Sequence, residues 1–211
     1  PKHPDFPDAV IVVVDASNLQ RNLLLFTEIC DLGLPAVMAL NMLDVAESME
    51  LKVNAVQLAM QLNTPVVRIN ARTGEGIPAL QKAVYDLAMQ KVQKQETYFF
   101  DPKEKVGALI EEVKKTYDLD NNYVALQYIC QHDTFSFLPV PERVKLDGLI
   151  EKYQFSEVDF LAAETIDRYE KIKPIVAKSV KSNGTGEQPK WTRKLDKLLL
   201  HPFWGYVIFA F

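Results

Sequence analysis

The stretch AVMALNMLD at residues 36–44 joins five apolar residues to a short polar segment. Residues 36–40 are aliphatic and lack the polar alternation of a half-exposed strand, which is typical of a strand buried on both faces of a parallel sheet. The polar segment contains Asn41 and Asp44. Because open α/β sheets bind ligands beyond the carboxyl ends of their strands, we expect these two side chains to face a ligand site.

Two further apolar runs, residues 9–14 and 66–69, have the same character and also end beside polar residues. Apolar residues spaced three and four apart predict helices over residues 19–30, 53–62 and 76–89. Strands that alternate with helices predict right-handed crossovers and a parallel sheet. The carboxyl ends of the strands then share one edge of the sheet, where we expect the side chains of Asp15, Asn41, Asp44 and Asn70.

The segment at residues 41–44 has the chemistry of a guanine-recognition element. Guanine presents two adjacent N–H donors, and one ionised carboxylate, here that of Asp44, can accept both in a charge-assisted bidentate pair. Asn41 would tie its loop to neighbouring segments and face the base. The alternative is that Asn41 and Asp44 only cap the following helix, where both residue types are favoured. The common edge predicted for the polar side chains favours the ligand interpretation.

The loop NARTGEG at residues 70–76 follows the last apolar run and supplies a second element of the predicted site. In a tight loop of this kind, the backbone N–H of Ala71 can point to the O6 atom of guanine. Gly74 and Gly76 allow the sharp turn before the next helix. Asp15 and Ser17 lie at the same predicted edge, but we expect them mainly to cap the helix that begins at residue 18.

At these positions the chain resembles the ferrous iron transport protein B (FeoB) family. The resemblance rests on DASNL at residues 15–19, ALNMLD at 39–44, NAR at 70–72 and LDKLLLHPFWGY at 195–206. It implies an α/β plus all-α fold, in which the C-terminal half of a P-loop GTPase-type parallel sheet with its helices is followed by a small helical domain. It also implies guanine contacts from Asn41, Met42, Asp44, Asn70, Ala71 and Arg72.

The same resemblance implies a GTP-regulated transporter of ferrous iron at the cytoplasmic face of a bacterial inner membrane. The intact protein would bind GTP and GDP, with Mg²⁺, and would move Fe²⁺ through membrane segments that this chain lacks. The implied partners are guanine nucleotide and, through the region after Phe211, the membrane. A further copy of the chain is another candidate partner.

One feature departs from the family pattern. The chain contains no Gly-x-x-x-x-Gly-Lys-Ser/Thr segment, so it offers no backbone cradle for phosphates and no hydroxyl ligand for Mg²⁺. We therefore expect a fragment that does not hydrolyse GTP on its own and binds nucleotide little, although the intact protein is implied to be a GTPase. By contrast, Asn-Met-x-Asp at residues 41–44 is typical of this family, although most small GTPases carry Lys where Met42 stands. Met keeps the packing of Lys without its charge, so we expect weaker retention and faster exchange of the nucleotide in the intact protein.

We predict three regions: residues 1–95 as the guanine-recognition part of a G domain, 96–180 as a helical regulatory domain, and 181–211 as a linker, a basic segment and the start of a membrane helix. Within the second region, Asn121 and Pro139 should each begin a helix. The longest helix should begin at Ser156 in near capping-box style, with Glu164 and Arg168 paired on its solvent side. Pro174 should kink this helix or end it nearby.

The third region begins with a stretch rich in Ser, Asn and Gly, residues 179–189, which we predict to be a flexible linker. Basic residues follow, and then the uncharged run 203–211. Spanning a bilayer takes about 20 apolar residues, so this run is too short as it stands. Basic residues before an apolar start suit the cytoplasmic side of a membrane helix. The alternative is that the apolar run packs on the helical domain.

Composition limits the remaining functions. The chain has 24 Lys and Arg against 28 Asp and Glu, a net charge of −4, which argues against nucleic acid as the main partner. Cys30 and Cys130 lie in helical patterns and are expected to be core thiols. The three histidines show no metal-ligand spacing, so we predict no metal site. Two other functions stay open: a ribosome-assembly type GTPase, or a degenerate G domain that serves as a non-catalytic interaction module.

Overall fold

The computed structural model describes residues 7–89 and 99–182 of the chain. Among these residues, strands and helices alternate at first, and four helices then follow in succession. The strands are β1 (Val10–Asp15), β2 (Ala36–Asn41), β3 (Leu51–Val53), β4 (Val66–Arg68) and β5 (Val180–Ser182). The α-helices are α1 (Leu19–Asp31), α2 (Leu43–Ser48), α3 (Ala55–Leu62), α4 (Ile77–Met89), α5 (Lys103–Tyr117), α6 (Asn122–Gln131), α7 (Val140–Lys152) and α8 (Glu157–Ser179).

The three predicted strands form a parallel sheet in the order β1-β2-β4. The central strand β2 is buried because it has cover on both faces: Met38 and Leu40 pack in one core with α1, and Val37 and Ala39 pack in another with α4. The predicted α/β plus all-α fold class is confirmed. The expectation that every strand is covered on both faces is wrong for β1, where Val13 is 59% exposed, whereas α4 packs on β2 and β4.

Helices α5, α6 and α7, with Phe160 from the start of α8, surround a separate core. Its buried side chains include Leu109, Ile110, Leu126 and Leu146. Asn121 begins α6 as predicted, since its side-chain oxygen accepts a hydrogen bond from the backbone N–H of Val124 at 2.9 Å. Pro139 precedes the first residue of α7, also as predicted.

Helix α8 differs from the sequence prediction in three ways. Glu164 and Arg168 are buried, not solvent-facing, because α1 supplies Asp31 as a partner for the arginine. The Ser156 hydroxyl makes no capping bond to the helix and donates to the Asp159 carboxylate at 2.7 Å instead. Pro174 does not end the helix, which continues for five more residues to Ser179.

Strands β3 and β5 were not predicted from the sequence, and they pair antiparallel in a small second sheet. This pairing corrects the predicted linker at its beginning, because Ser179 is the buried last residue of α8 and residues 180–182 form β5. The remainder of that linker, the basic segment and the apolar run lie outside the described residues. Within residues 7–89 and 99–182, no helix is both long and apolar enough to span a bilayer. The three domain bounds remain predictions.

Candidate functional site

The carboxyl edge of the parallel sheet brings the predicted polar residues together. Asp15 ends β1 and Asn41 ends β2, and the register pairs these two residues directly. The Asp15 carboxylate accepts hydrogen bonds from the backbone N–H of Ser17 at 2.8 Å and from its hydroxyl at 2.7 Å. Asp15 therefore caps the 3₁₀ turn over Ala16–Asn18, so the expected capping role is correct although it applies to this turn instead of α1.

Asn41 joins the ends of β2 and β4. Its side-chain oxygen accepts a hydrogen bond of 3.3 Å from the backbone N–H of Ala71, which lies 30 residues later in the loop after β4. The pairing of β2 and β4 continues to this edge, since the N–H of Ile69 donates to the carbonyl of Leu40 at 2.9 Å. The expectation that Asn41 ties its loop to a neighbouring segment is therefore confirmed. The expected contact of the Ala71 N–H with O6 of guanine remains a prediction.

The loop at residues 70–76 is held by its own first residue. The Asn70 side-chain oxygen accepts from the backbone N–H groups of Arg72 at 3.1 Å and Thr73 at 3.2 Å. The Asn70 N–H also donates to the Glu75 carbonyl at 2.9 Å, which closes the loop across its base. Gly76 has a φ of +78°. A side chain there would collide with the carbonyl oxygen of Arg68, so the loop needs glycine at this position.

Asp44 lies in the first turn of the short helix α2, and its side chain lines a cleft of about 350 Å³ together with Asn70. The cleft therefore connects the two predicted elements, residues 41–44 and 70–76. Its other lining residues are Leu43, Glu47, Arg68, Ile69 and Glu75. The exposed carboxylate of Asp44 is available to accept two hydrogen bonds from a ligand edge, which is the chemistry that guanine requires.

The other predicted guanine contacts flank the cleft without lining it. Met42 has left-handed backbone geometry, with a φ of 59°, and its side chain is 41% exposed. Ala71 and Arg72 are exposed at the start of the loop. The structure therefore gathers the six predicted residues at one edge, but only Asp44 and Asn70 share the cleft. The part of the chain that the structure describes contains no cluster of three or more His, Cys, Asp or Glu side chains suited to a metal ion.

Sequence reasoning missed three charged residues of the cleft: Glu47, Arg68 and Glu75. Arg68 carried a detectable signal, because it is the one charged residue in the apolar run 66–69 and thus marks a side chain that leaves the sheet core. Glu47 and Glu75 carried none, since each lies in a polar stretch where solvent exposure is the default expectation.

Known proteins resemble this chain in sequence. A family model described as ferrous iron transport protein B matches residues 3–84. The Fe(2+) transporter FeoB of Salmonella choleraesuis is 33% identical over 208 residues, a match that covers 97% of this chain and 26% of that relative. The chain thus spans about a quarter of the length of the curated relatives it matches.

Solved structures resemble the chain in the same way. The cytosolic domain of L. pneumophila FeoB superposes with a TM-score of 0.63 at 29% identity, covering 84% of this chain and 70% of that one. A mutant of S. thermophilus NFeoB bound to GDP gives a TM-score of 0.59 at 25% identity, covering 82% and 69%. The fold is therefore of the P-loop GTPase type. Together these matches show that the chain belongs to the ferrous iron transport protein B (FeoB) family.

Proposed function

We propose that this chain recognises guanine for a GTP-regulated ferrous iron transporter at the cytoplasmic face of a bacterial inner membrane. In this proposal Asp44 accepts the two N–H donors of guanine, and Asn41 and Asn70 hold the loops on either side of the base. Met42, Ala71 and Arg72 complete the contacts. GTP and GDP are the ligands, and Fe²⁺ is the substrate that the transporter moves.

One observation carries the proposal: the Asn41–Ala71 hydrogen bond joins the two loops, and Asp44 and Asn70 line one cleft between them. A helix cap alone explains neither feature, because a capping side chain bonds the N–H groups of its own helix. Asn41 bonds a loop 30 residues away, and α2 shows no side-chain capping bond at its N-cap residue, Met42. The GDP bound to the S. thermophilus relative supports the same ligand class.

Hydrolysis of GTP needs groups beyond those described above. Phosphoryl transfer depends on a phosphate cradle, Mg²⁺ and a positioned water. The given sequence contains no Gly-x-x-x-x-Gly-Lys-Ser/Thr segment to form such a cradle. We therefore assign recognition of the base to these residues.

Nucleotide competition tests the proposal in the gene-encoded protein, by which we mean the whole product of the gene that contains this sequence. Binding of labelled GDP is challenged with GDP, XDP and ADP in the wild-type protein and in the Asp44→Asn variant. Xanthine carries a carbonyl where guanine carries its exocyclic amine, so an amide at residue 44 suits xanthine and a carboxylate suits guanine. Because hydrogen bonds to charged groups contribute about 1.5–3 kcal/mol each, we expect the preference for GDP over XDP to fall at least about tenfold.

Glu47→Gln provides the matched control, because it removes a carboxylate from the same helix and the same cleft. We expect this variant to keep the wild-type preference for GDP. An unchanged preference in Asp44→Asn would remove Asp44 from the base site and would overturn the proposal. Equal losses in both variants would also contradict it, since they would indicate a general effect of charge in the cleft.

A further inference from the structure

Helix α2, which carries Asp44, has little intrinsic stability. It has six residues and one buried side chain, Ala46. Isolated helices shorter than about 12–15 residues are marginal in water, so the position of α2 depends on what it is attached to. Before it lies Met42, in left-handed geometry, and after it comes Glu50, with a φ of 60°. Both ends of α2 are thus sharp turns. Helix α2 contacts the 3₁₀ turn over Ala16–Asn18 as well as β3, the strand that follows it.

Strand β3 has three residues, and β5 is its only strand partner among the described residues. Leu51 pairs with Ser182, Lys52 with Lys181 and Val53 with Val180. The N–H of Asn54 continues the ladder by donating to the Ser179 carbonyl at 2.8 Å. So short a strand has little stability of its own. Its pairing with β5 and the packing of Leu51 and Val53 on the core that contains Met38 and Leu40 together hold β3 next to the C-terminal end of α2.

Strand β5 continues directly from α8, and α8 is anchored firmly. Ile172 and Ile175 of α8 are buried in the same core as Leu58 and Leu62 of α3. Arg168 is joined to Asp31 of α1 by a buried ion pair of 2.7 Å. Leu51, Val53 and Val180 pack against the same core, so the small sheet rests on α8 and on the sheet-bearing half together.

The pairing of β3 with β5 is also weakened at its centre. Lys52 and Lys181 are exposed and lie directly opposite each other. Like charges in opposite positions of an antiparallel pair are destabilising. Apolar contacts at Val53 and Val180 oppose this repulsion. Because the repulsion between the lysines opposes these apolar contacts, we expect small changes in free energy to be sufficient to release β5 from β3.

We propose that β5 is a positioning strand for Asp44, and that its release from β3 lowers the affinity of the site for the guanine base. This inference rests on the proposed function, because it assigns a regulator to the same site. Coupling between two sites is reciprocal, so guanine bound at Asp44 strengthens the attachment of β5.

The test compares two variants at one position in the gene-encoded protein. Lys181→Pro removes an N–H from the centre of the strand, whereas Lys181→Ala removes the same charge and keeps the N–H. We expect Lys181→Pro to reduce the preference for GDP over XDP by about fivefold or more, within the usual range of coupling between sites. Amide exchange of Ala46 in α2 should accelerate, while that of Ala125 in α6 should not. Lys181→Ala should neither reduce the preference for GDP nor accelerate the amide exchange of Ala46.

A second variant should strengthen the pairing of β3 with β5, so that its effect on the site cannot be explained by misfolding. Lys52→Glu replaces the repulsive pair by an attractive one, so it should slow amide exchange at Ala46 and raise the preference for GDP. Combining Lys181→Pro with Asp44→Asn should produce no further loss of preference, because both changes act through the same carboxylate. A full additional loss in the double variant would overturn the inference.

The outcomes separate this inference from the proposed function. If Asp44→Asn keeps the wild-type guanine preference, the proposed function fails and the positioning role fails with it. If Asp44→Asn loses the preference but Lys181→Pro and Lys52→Glu leave both preference and α2 exchange unchanged, only the positioning role is wrong. Faster exchange of α2 and α6 alike in Lys181→Pro would also overturn it, since it would reveal a loss of stability in the whole protein.

Discussion

The carboxylate of Asp31 in α1 lies 2.7 Å from the guanidinium of Arg168 in α8, and both side chains are almost completely buried. Asp31 also accepts the backbone N–H groups of Phe99 at 2.7 Å and Phe100 at 3.0 Å. Arg168 bonds Glu164 at 2.8 Å through its Nε atom. Burial raises the pKa of Asp31, and Arg168 opposes that rise. This cluster joins the sheet-bearing half of the chain to the helical half.

Arg168→Met should destabilise the protein strongly, because Asp31 would keep a buried charge without its partner. Breaking a buried ion pair on one side costs about 3–5 kcal/mol. Urea unfolding followed by circular dichroism measures this loss. Lys173→Met, an exposed change on the same helix, should stay within about 0.5 kcal/mol of the wild type. If Arg168→Met also lost no more than about 0.5 kcal/mol, the proposed energetic role of the ion pair would be contradicted.

The destabilisation in Arg168→Met should depend on pH. Without the arginine, burial acts on Asp31 with less opposition, so the pKa of this carboxyl in the folded state lies further above its unfolded value. A raised carboxyl pKa favours folding at low pH, and that contribution disappears as the pH rises through the folded pKa. The free-energy difference between variant and wild type should therefore be smaller at pH 5 than at pH 8. A constant difference would count against this explanation.

His132 should stabilise the fold mainly at low pH. Its Nδ1 atom lies 2.8 Å from the Ile129 carbonyl and its Nε2 atom 2.9 Å from the Asp147 carboxylate, so acceptors face both nitrogens and the doubly protonated ring fits best. Burial acts to lower the pKa of His132, but the hydrogen bonds to Asp147 and Ile129 raise it overall.

Because this pKa is raised, the contribution of His132 is fully present below the unfolded value near 6.5 and is lost as the pH rises through the folded pKa. Urea midpoints measured from pH 5.5 to 9 should fall over this range in the wild type and fall less in Asp147→Asn. An identical pH dependence in the two proteins would exclude the Asp147 contact as its source.

Two glycines in the loop after β4 should respond differently to alanine. Both have positive φ, but a Cβ at Gly74 meets no atom within 4 Å, whereas one at Gly76 collides with the Arg68 carbonyl. Left-handed geometry costs a non-glycine residue about 1–2 kcal/mol, so Gly74→Ala should lower the free energy of unfolding, measured by urea unfolding, by about that much. Gly76→Ala should lose more, and the Ala71 amide should shift in NMR spectra as the loop moves. Equal losses of stability in the two variants would show that the collision at residue 76 adds nothing to the cost of the backbone geometry.

Met42→Lys should slow the release of GDP from the gene-encoded protein, because the lysine stem would keep the packing of methionine along the nucleotide and its charged end would hydrogen-bond the phosphate loop. Stopped-flow release of a fluorescent GDP analogue measures the rate. Met49→Lys, an exposed change at the other end of α2, should leave it unchanged. Slow release of tightly held GDP from the wild-type protein would contradict the role assigned to Met42.

The apolar runs and their polar ends were sufficient to predict the parallel sheet and the edge where Asp15, Asn41, Asp44 and Asn70 lie. This was possible because an apolar run and a helical spacing can each be read from a few neighbouring residues, and because alternation of strands with helices implies a parallel sheet. Helix beginnings at Asn121 and Pro139 were predictable for the same reason, since capping involves only neighbouring residues.

Features that depend on distant partners were not predictable in this way. Glu164 and Arg168 were placed on the solvent side of α8 because charged residues are rarely buried without partners, and Asp31 lies 137 residues from Arg168. Strand β3 was missed because three residues carry no strand pattern of their own, and its partner β5 follows the longest helix. The cleft likewise combines residues from α2, β4 and the loop after it.

By itself, the sequence determined which residues form the parallel sheet and which polar side chains lie at its edge. The reason is that each strand is an apolar run followed directly by a polar residue, a pattern contained in a few neighbouring residues. Tertiary structure alone decided that a buried arginine joins the two halves and that β5 returns to hold the strand after α2. The physical reason is that the cost of burying a charge, or of ordering a three-residue strand, is offset only by a partner that folding brings from far along the chain.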